Sequence, residues 1–108
     1  MEFWSETKHT ARKQHHCEAC GQAIKPDERY SYMASKQDGQ FWTIKQHEEC
    51  RAAEVGLAEL HDLYGGDEWI WLGELEETED LLWLRDHHPL AFERIKARYD
   101  HWLETDDA

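Results

Sequence analysis

Basic residues are scarce in the second part of this 108-residue chain: residues 48–108 hold five Lys/Arg against eighteen Asp/Glu, whereas residues 1–47 hold seven against six. Such an excess of carboxylate is repelled by phosphate backbones, which argues against ordinary nucleic-acid binding by that part and makes a protein with a basic surface the expected partner. Cysteine is sparse too. The three present cannot all pair within one molecule, and their spacing reads better as metal ligation than as a disulfide framework, so a reducing compartment is expected. No apolar run approaches the length that spans a bilayer, and Met1-Glu2-Phe3-Trp4-Ser5-Glu6 lacks the basic and then apolar pattern of a signal peptide, so the expected location is the cytoplasm, with no membrane partner. No Gly-rich phosphate loop is present, and Ser5, Ser31 and Ser35 stand in no nucleophile motif.

What is present is a globular composition, 40% hydrophobic with six Trp, four Tyr and three Phe, in a chain of the size of one domain. Residues 1–14 show no sustained period and read as a partly ordered lead-in. Arg29 to Ala34 and Gln40 to Lys45 are aromatic-rich and β-branched. Between them Asp38-Gly39 signals a tight turn, so the two runs form a hairpin. Arg51 to Tyr64 places Ala53, Leu57, Leu60 and Tyr64 at helical spacing, with Glu48 and Glu49 at the positive end of the dipole and Gly65-Gly66 as terminator. Asp67 to Leu75, with Trp69, Ile70, Trp71 and Leu72, reads equally as a strand or a buried turn. A second helix is expected from Glu76 to His87 around Leu81, Leu82, Trp83 and Leu84. A third runs from Pro89 to about Leu103 on a stripe of Phe92, Ile95, Tyr99 and Trp102. Trp69, Trp71, Trp83, Phe92, Tyr99 and Trp102 are expected to be mostly core, and Thr105-Asp106-Asp107-Ala108 to fray.

The chemistry-bearing residues are Cys17-Glu18-Ala19-Cys20-Gly21 and His47-Glu48-Glu49-Cys50. Two residues between the thiols followed by Gly suit a knuckle whose backbone N–H groups point at sulfur. The second pair, three residues apart at a helix start, lies on one face of the first turn. Cys17, Cys20, His47 and Cys50 together satisfy tetrahedral zinc with no position left open, the mark of one structural ion. His15 and His16 compete for the imidazole position; His47 is preferred because it gives the helix two ligands.

Knuckle, β-hairpin, then a helix whose first turn completes the site is the order of a treble-clef zinc finger. The stretch from His16-Cys17-Glu18-Ala19-Cys20-Gly21 through Ile24-Lys25-Pro26-Asp27-Glu28-Arg29-Tyr30 to His47 and Cys50 resembles small zinc-binding proteins of bacteriophages and prophages, over about residues 11–60. In those proteins the third ligand is commonly Cys, so His47 is a departure. The resulting expectation is an α+β single domain, residues 1–108, with a treble-clef zinc-binding part at 11–64 and an acidic helical part at 65–108. A phage origin would place it in the bacterial host cytoplasm.

Three functions are open to these residues. A nuclease of the ββα-metal type needs a His-Asn-His set, and the chain has no Asn; with the zinc position closed, no enzyme is expected. Nucleic-acid binding would use Lys8, Arg12, Lys13, Lys25, Arg29, Lys36 and Lys45, with Phe41 and Trp42 for stacking. Protein interaction would use Glu74, Glu76, Glu77, Glu79, Asp80 and Asp86 around a Trp-rich and Leu-rich segment, docking on a basic surface, including one that normally holds nucleic acid. The last reading is preferred: a non-enzymatic interaction module, as an inhibitor of a host nucleic-acid-binding system. Exposed aromatic surface also leaves room for a homo-oligomer.

Overall fold

Phe3–Thr10, inside the stretch expected to be a partly ordered lead-in, forms the first strand, β1. Residues 4–10 are all exposed, so neither face of this strand carries the apolar alternation by which a half-buried strand is recognised. Its partner is supplied from elsewhere in the chain. The computed structural model describes residues 3–63 and 69–106. After β1 come two short strands that pair with each other, β2 (His15–His16) and β3 (Ala23–Ile24), and two long ones, β4 (Arg29–Gln37) and β5 (Gln40–His47). The long strands form an antiparallel sheet in the order β1-β4-β5. Asp38 and Gly39 join β4 to β5 with φ of 52° and 81°, the two left-handed residues that a two-residue hairpin turn requires. Asp27, before β4, also takes a positive φ, 73°, which Asp tolerates better than most residues.

Helix α1 (Glu48–Leu60) leaves β5 without a linker. It begins three residues earlier and ends four residues earlier than the apolar spacing suggests. Its end is set by Asp62 at φ 58°: the Leu63 N–H reaches the Ala58 carbonyl at 2.8 Å and the Asp62 N–H the Glu59 carbonyl at 3.2 Å. That crossed pair caps the helix C-terminus in the way a glycine usually does. Tyr64 and the expected terminator Gly65-Gly66 lie outside the described residues. Leu60 lies beyond the buried stripe and is 50% exposed.

A single 3-10 turn at Leu72–Glu74 takes the place of the undecided strand or turn. Helix α2 (Thr78–His87) follows as expected, burying Leu81 and Leu84. The third expected helix is broken into α3 (Pro89–Ile95), a tighter 3-10 stretch Lys96–Tyr99, and α4 (Asp100–Asp106). Its stripe holds: Phe92, Ile95 and Tyr99 are buried and Trp102 packs against them. The tightened stretch is where two side chains reach away from the helix: the Arg98 Nη2 donates to the Cys20 carbonyl at 3.0 Å, and the Tyr99 hydroxyl donates to the Leu72 carbonyl at 2.7 Å while accepting from the Leu75 N–H at 2.9 Å. Backbone helix continues through Asp106; Asp107 and Ala108 lie outside the described residues.

One buried cluster runs through both parts of the chain, from Cys17, Ile24, Cys50 and Leu57 to Leu72, Leu84, Phe92 and Ile95. Each fully buried Leu or Ile contributes about 1.5–3 kcal/mol relative to exposure. Of the six aromatics expected in the core, Phe92 and Tyr99 are buried and Trp69, Trp83 and Trp102 half-buried, whereas Trp71 is 38% exposed. Among the described residues no helix is long and apolar enough to cross a membrane.

Candidate metal centre

The knuckle is built by backbone hydrogen bonds before any ligand is considered. The Gly21 N–H donates to the Cys17 carbonyl at 2.9 Å and the Cys17 N–H to the Gln22 carbonyl at 3.0 Å. Gly21 sits at φ 80°, where glycine is favoured, and a Cβ there would displace the Arg98 guanidinium. This tight turn aims the Gln22 N–H at Cys20 Sγ, 3.4 Å away, and the end of β5 brings the His47 N–H to 3.3 Å from Cys17 Sγ. The second half of the site comes from the junction of β5 and α1. His47 is the last strand residue and Cys50 lies in the first helical turn.

Cys17, Cys20, His47 and Cys50 converge, all buried, with one donor atom from each and all four donors within 4.8 Å of one another. Tetrahedral zinc with Zn–S bonds near 2.3 Å separates its sulfurs by about 3.8 Å, so the cluster fits one such ion. The His47 ring is oriented by its surroundings. Its Nε2 lies 3.0 Å from the Ala23 carbonyl, which only accepts, so Nε2 carries a proton and Nδ1 is the nitrogen left facing the sulfurs. Nδ1 is 3.3 Å from Cys20 Sγ and 3.8 Å from Cys50 Sγ. Ligating histidines are commonly fixed by such an outer hydrogen bond. Glu28 adds a carboxylate 3.7 Å from the same Nε2.

Left to protons alone, the cluster is frustrated. Hydrogen bonds from Cys20 and Cys50 hold the Cys17 thiol far below its ordinary pKa, while bonding to Cys17 and Cys20 holds the proton on Cys50. Like charges a few ångströms apart are costly to form together, so Cys17 takes the charge and Cys50 keeps its proton. Burial opposes a charge on His47, but hydrogen bonds to Cys17 and Cys20 and the negative charge there outweigh it, pushing the pKa up to about 10. Without a metal the imidazole proton lies against the Cys17 thiolate, and a divalent cation takes over that role when it replaces these protons. His15 and His16 are not part of the cluster: His15 packs against Tyr30 with ring centroids 5.2 Å apart, and His16 is exposed.

The acidic candidates separate into two kinds. Glu74, Glu76, Glu77, Glu79 and Asp86 are exposed, but Asp80 is 7% exposed and accepts from His61 Nε2 at 2.8 Å. Asp80 is a packing residue, drawn inward because it stands four positions before Leu84 on the buried face of α2. Among the basic candidates, Lys8, Arg12, Lys13 and Arg29 line one open cavity with His9 and Tyr30. Lys8 is engaged by Ser31 and Glu6, and Arg29 by Glu48. Lys25, Lys36 and Lys45 do not line that cavity.

Two polar residues escaped the sequence reading. Glu54 is fully buried and gathers three donors: Gln46 Nε2 at 3.1 Å, Trp69 Nε1 at 3.2 Å and the Leu72 N–H at 3.1 Å. Burial pushes its pKa up, against these bonds. Its position four residues after Cys50 and three before Leu57 marks the buried face of α1, and that phase was the available signal. Gln46 is 1% exposed, and it and His47 point to opposite faces of β5, one toward Glu54 and the other into the cysteine cluster. Comparison of the chain with protein-family models, with curated protein sequences and with solved structures finds no match.

Proposed function

We propose that this protein is a zinc-stapled, non-enzymatic binding module of treble-clef type whose acidic helical part docks on a basic surface of a partner protein. The zinc assignment is supported by the donor chemistry, since three thiolates and an imidazole buried within 4.8 Å of one another suit this ion, and four protein donors would leave no position for a reacting water. The treble-clef reading is supported by the order along the chain: a knuckle at 17–22, the β4–β5 hairpin, and a helix whose first turn supplies Cys50. The likeness to phage zinc-binding proteins rests on those residues alone.

The observation that carries the docking reading is where the positive charges of the second part go. Arg94 bonds Glu49 at 2.6 Å and Glu28 at 3.3 Å, Arg98 bonds the Cys20 carbonyl, and Lys96 pairs with Glu93. Exposed Glu74, Glu76, Glu77 and Glu79 have no ion-pair partner among the described residues. Carboxylates displayed in this way complement a basic groove of the kind that holds nucleic acid, and occupying it would make the chain an inhibitor.

Metal analysis of the purified protein tests the scaffold: one zinc per chain is expected, with unfolding on strong chelation. Affinity capture from bacterial lysate tests the docking, comparing wild type with a Glu74→Lys, Glu76→Lys, Glu77→Lys, Glu79→Lys variant at low and high salt. The expected partner is lost with the variant and released by salt; capture that ignores both changes sinks the electrostatic reading. A second reading, nucleic-acid binding, is favoured by the cavity that Lys8, Arg12, Lys13, Arg29 and Tyr30 share. Its test is a salt titration of single-stranded oligonucleotide binding to wild type and to Arg12→Ala, Lys13→Ala.

A further inference from the structure

The exposed end of the sheet carries a cavity that the metal centre does not use. Trp4 of β1 and Trp42 of β5 both stand opposite Ser35 of β4, so two indoles flank one small residue on the same face of the sheet. Trp69 and Trp71, with ring centroids 6.5 Å apart, join Met33 and Ile44 to complete a cavity of 510 Å³. That volume lies within the range of sites that hold a small ring system. Gln46 and Arg51 are the remaining lining.

These two polar residues define the occupant. Arg51 is held by Glu6, with Nη2 at 3.0 Å and Nε at 3.3 Å, and its guanidinium lies over the rings of Trp4 and Trp69 at 5.9 Å and 5.2 Å. Two indole faces are thus already serving a cation, whose charge Glu6 neutralises, and the cavity favours a ligand with no net charge. Gln46 donates its amide N–H to the Glu54 carboxylate, which fixes the amide so that Oε1 is an acceptor. That oxygen is the one buried side-chain polar atom among the described residues with no hydrogen-bond partner. An unmade buried hydrogen bond is costly, and a donor delivered to it is correspondingly favourable.

We propose that this cavity binds the indole of a tryptophan presented by a partner polypeptide, with the ring between the wall tryptophans and its N–H donating to Gln46 Oε1. A nucleobase would bring a phosphate, and the cavity's cation is already spent on Glu6 in a chain of net charge -12. A polypeptide suits the open mouth, since Trp4, Trp42 and Trp71 are 54%, 40% and 38% exposed, and a basic one suits the net charge. The partner's being a protein rests on the function proposed above; the recognition of the ring does not.

The test is a titration of the zinc-loaded full chain, followed by the indole N–H signals in proton–nitrogen correlation spectra. The probes are N-acetyltryptophanamide, its 1-methylindole analogue and adenosine monophosphate. N-acetyltryptophanamide is expected to move the Trp4, Trp42 and Trp71 signals. The 1-methyl analogue, lacking the donor, is expected to bind about five- to tenfold more weakly. Trp4→Ala with Trp42→Ala, at exposed positions, is expected to abolish binding and leave the melting temperature close to wild type. Equal binding of the methylated probe, an absence of shifts at these tryptophans, or tighter binding of the nucleotide overturns the proposal. Because the amide probe is neutral, the charge-reversed glutamate variant retains its binding. Failure of the acidic docking reading and failure of this one are therefore read separately.

Discussion

Replacing Tyr99 by Phe removes one oxygen and leaves two buried backbone groups without partners. The Tyr99 hydroxyl donates to the Leu72 carbonyl at 2.7 Å and accepts from the Leu75 N–H at 2.9 Å, while Leu72 is fully buried and Leu75 is 6% exposed. Water does not readily replace the missing oxygen there. Each orphaned buried group costs about 1–3 kcal/mol, so Tyr99→Phe is expected to lose about 2–6 kcal/mol of stability. For a domain of this size each kcal/mol lowers the melting temperature by roughly 4 °C. A calorimetric melt of the zinc-loaded variant should therefore fall by at least about 8 °C, with faster amide exchange at Leu75. A fall below about 3 °C would refute the claim that this hydroxyl clasps the 3-10 turn, because the two backbone groups would then have partners other than Tyr99.

Gly21→Ala is expected to destabilise by more than about 1 kcal/mol, since the left-handed backbone disfavours a side chain and Arg98 must move off the Cys20 carbonyl; a denaturant titration reads it, and an unchanged midpoint counts against the knuckle geometry. Cys50→Ser is expected to lose the bound zinc and most of the folded population, because structural zinc contributes about 10–16 kcal/mol in finger peptides, as much as a whole small domain's stability; metal analysis and circular dichroism check both. Burial, and then the neighbouring His87, depress the His88 pKa below 6.5. The unfolded chain therefore takes up a proton before the folded one does, and this contribution, present above pH 6.5, is lost as pH falls below it. Melts of wild type against His88→Gln between pH 7.5 and 6 should show the steeper loss in wild type, and identical slopes would remove His88 from the account.

The sequence was most legible where a local rule acts alone. Asp38-Gly39 specified the hairpin because two positive φ angles are needed there, and the spacing within Cys17–Cys20 and His47–Cys50 located the site because a knuckle and a first helical turn impose it. β1 was not legible, since its residues gain their place from pairing with β4 and neither face is buried. Asp80 and Glu54 misled for the opposite reason: carboxylates are ordinarily solvated, and each is buried only because a donor from a distant segment, His61 for one and Gln46, Trp69 and Leu72 for the other, meets it. The break after Ile95 was likewise invisible to periodicity, because the Phe92, Ile95 and Tyr99 stripe survives it.

That Gln46 and His47 are neighbours on one strand yet serve opposite sides of the sheet would give a bound metal a further task. Slipping β5 by one residue against β4 would exchange them, setting an imidazole against Glu54 and an amide among the thiols. The Asp38-Gly39 turn opposes such a slip from one end of the hairpin, where residues 40–42 are exposed. A metal held by Cys17, Cys20, His47 and Cys50 would accept only the pairing that delivers Nδ1 and would so pin the strand alignment at the end of the hairpin remote from its turn.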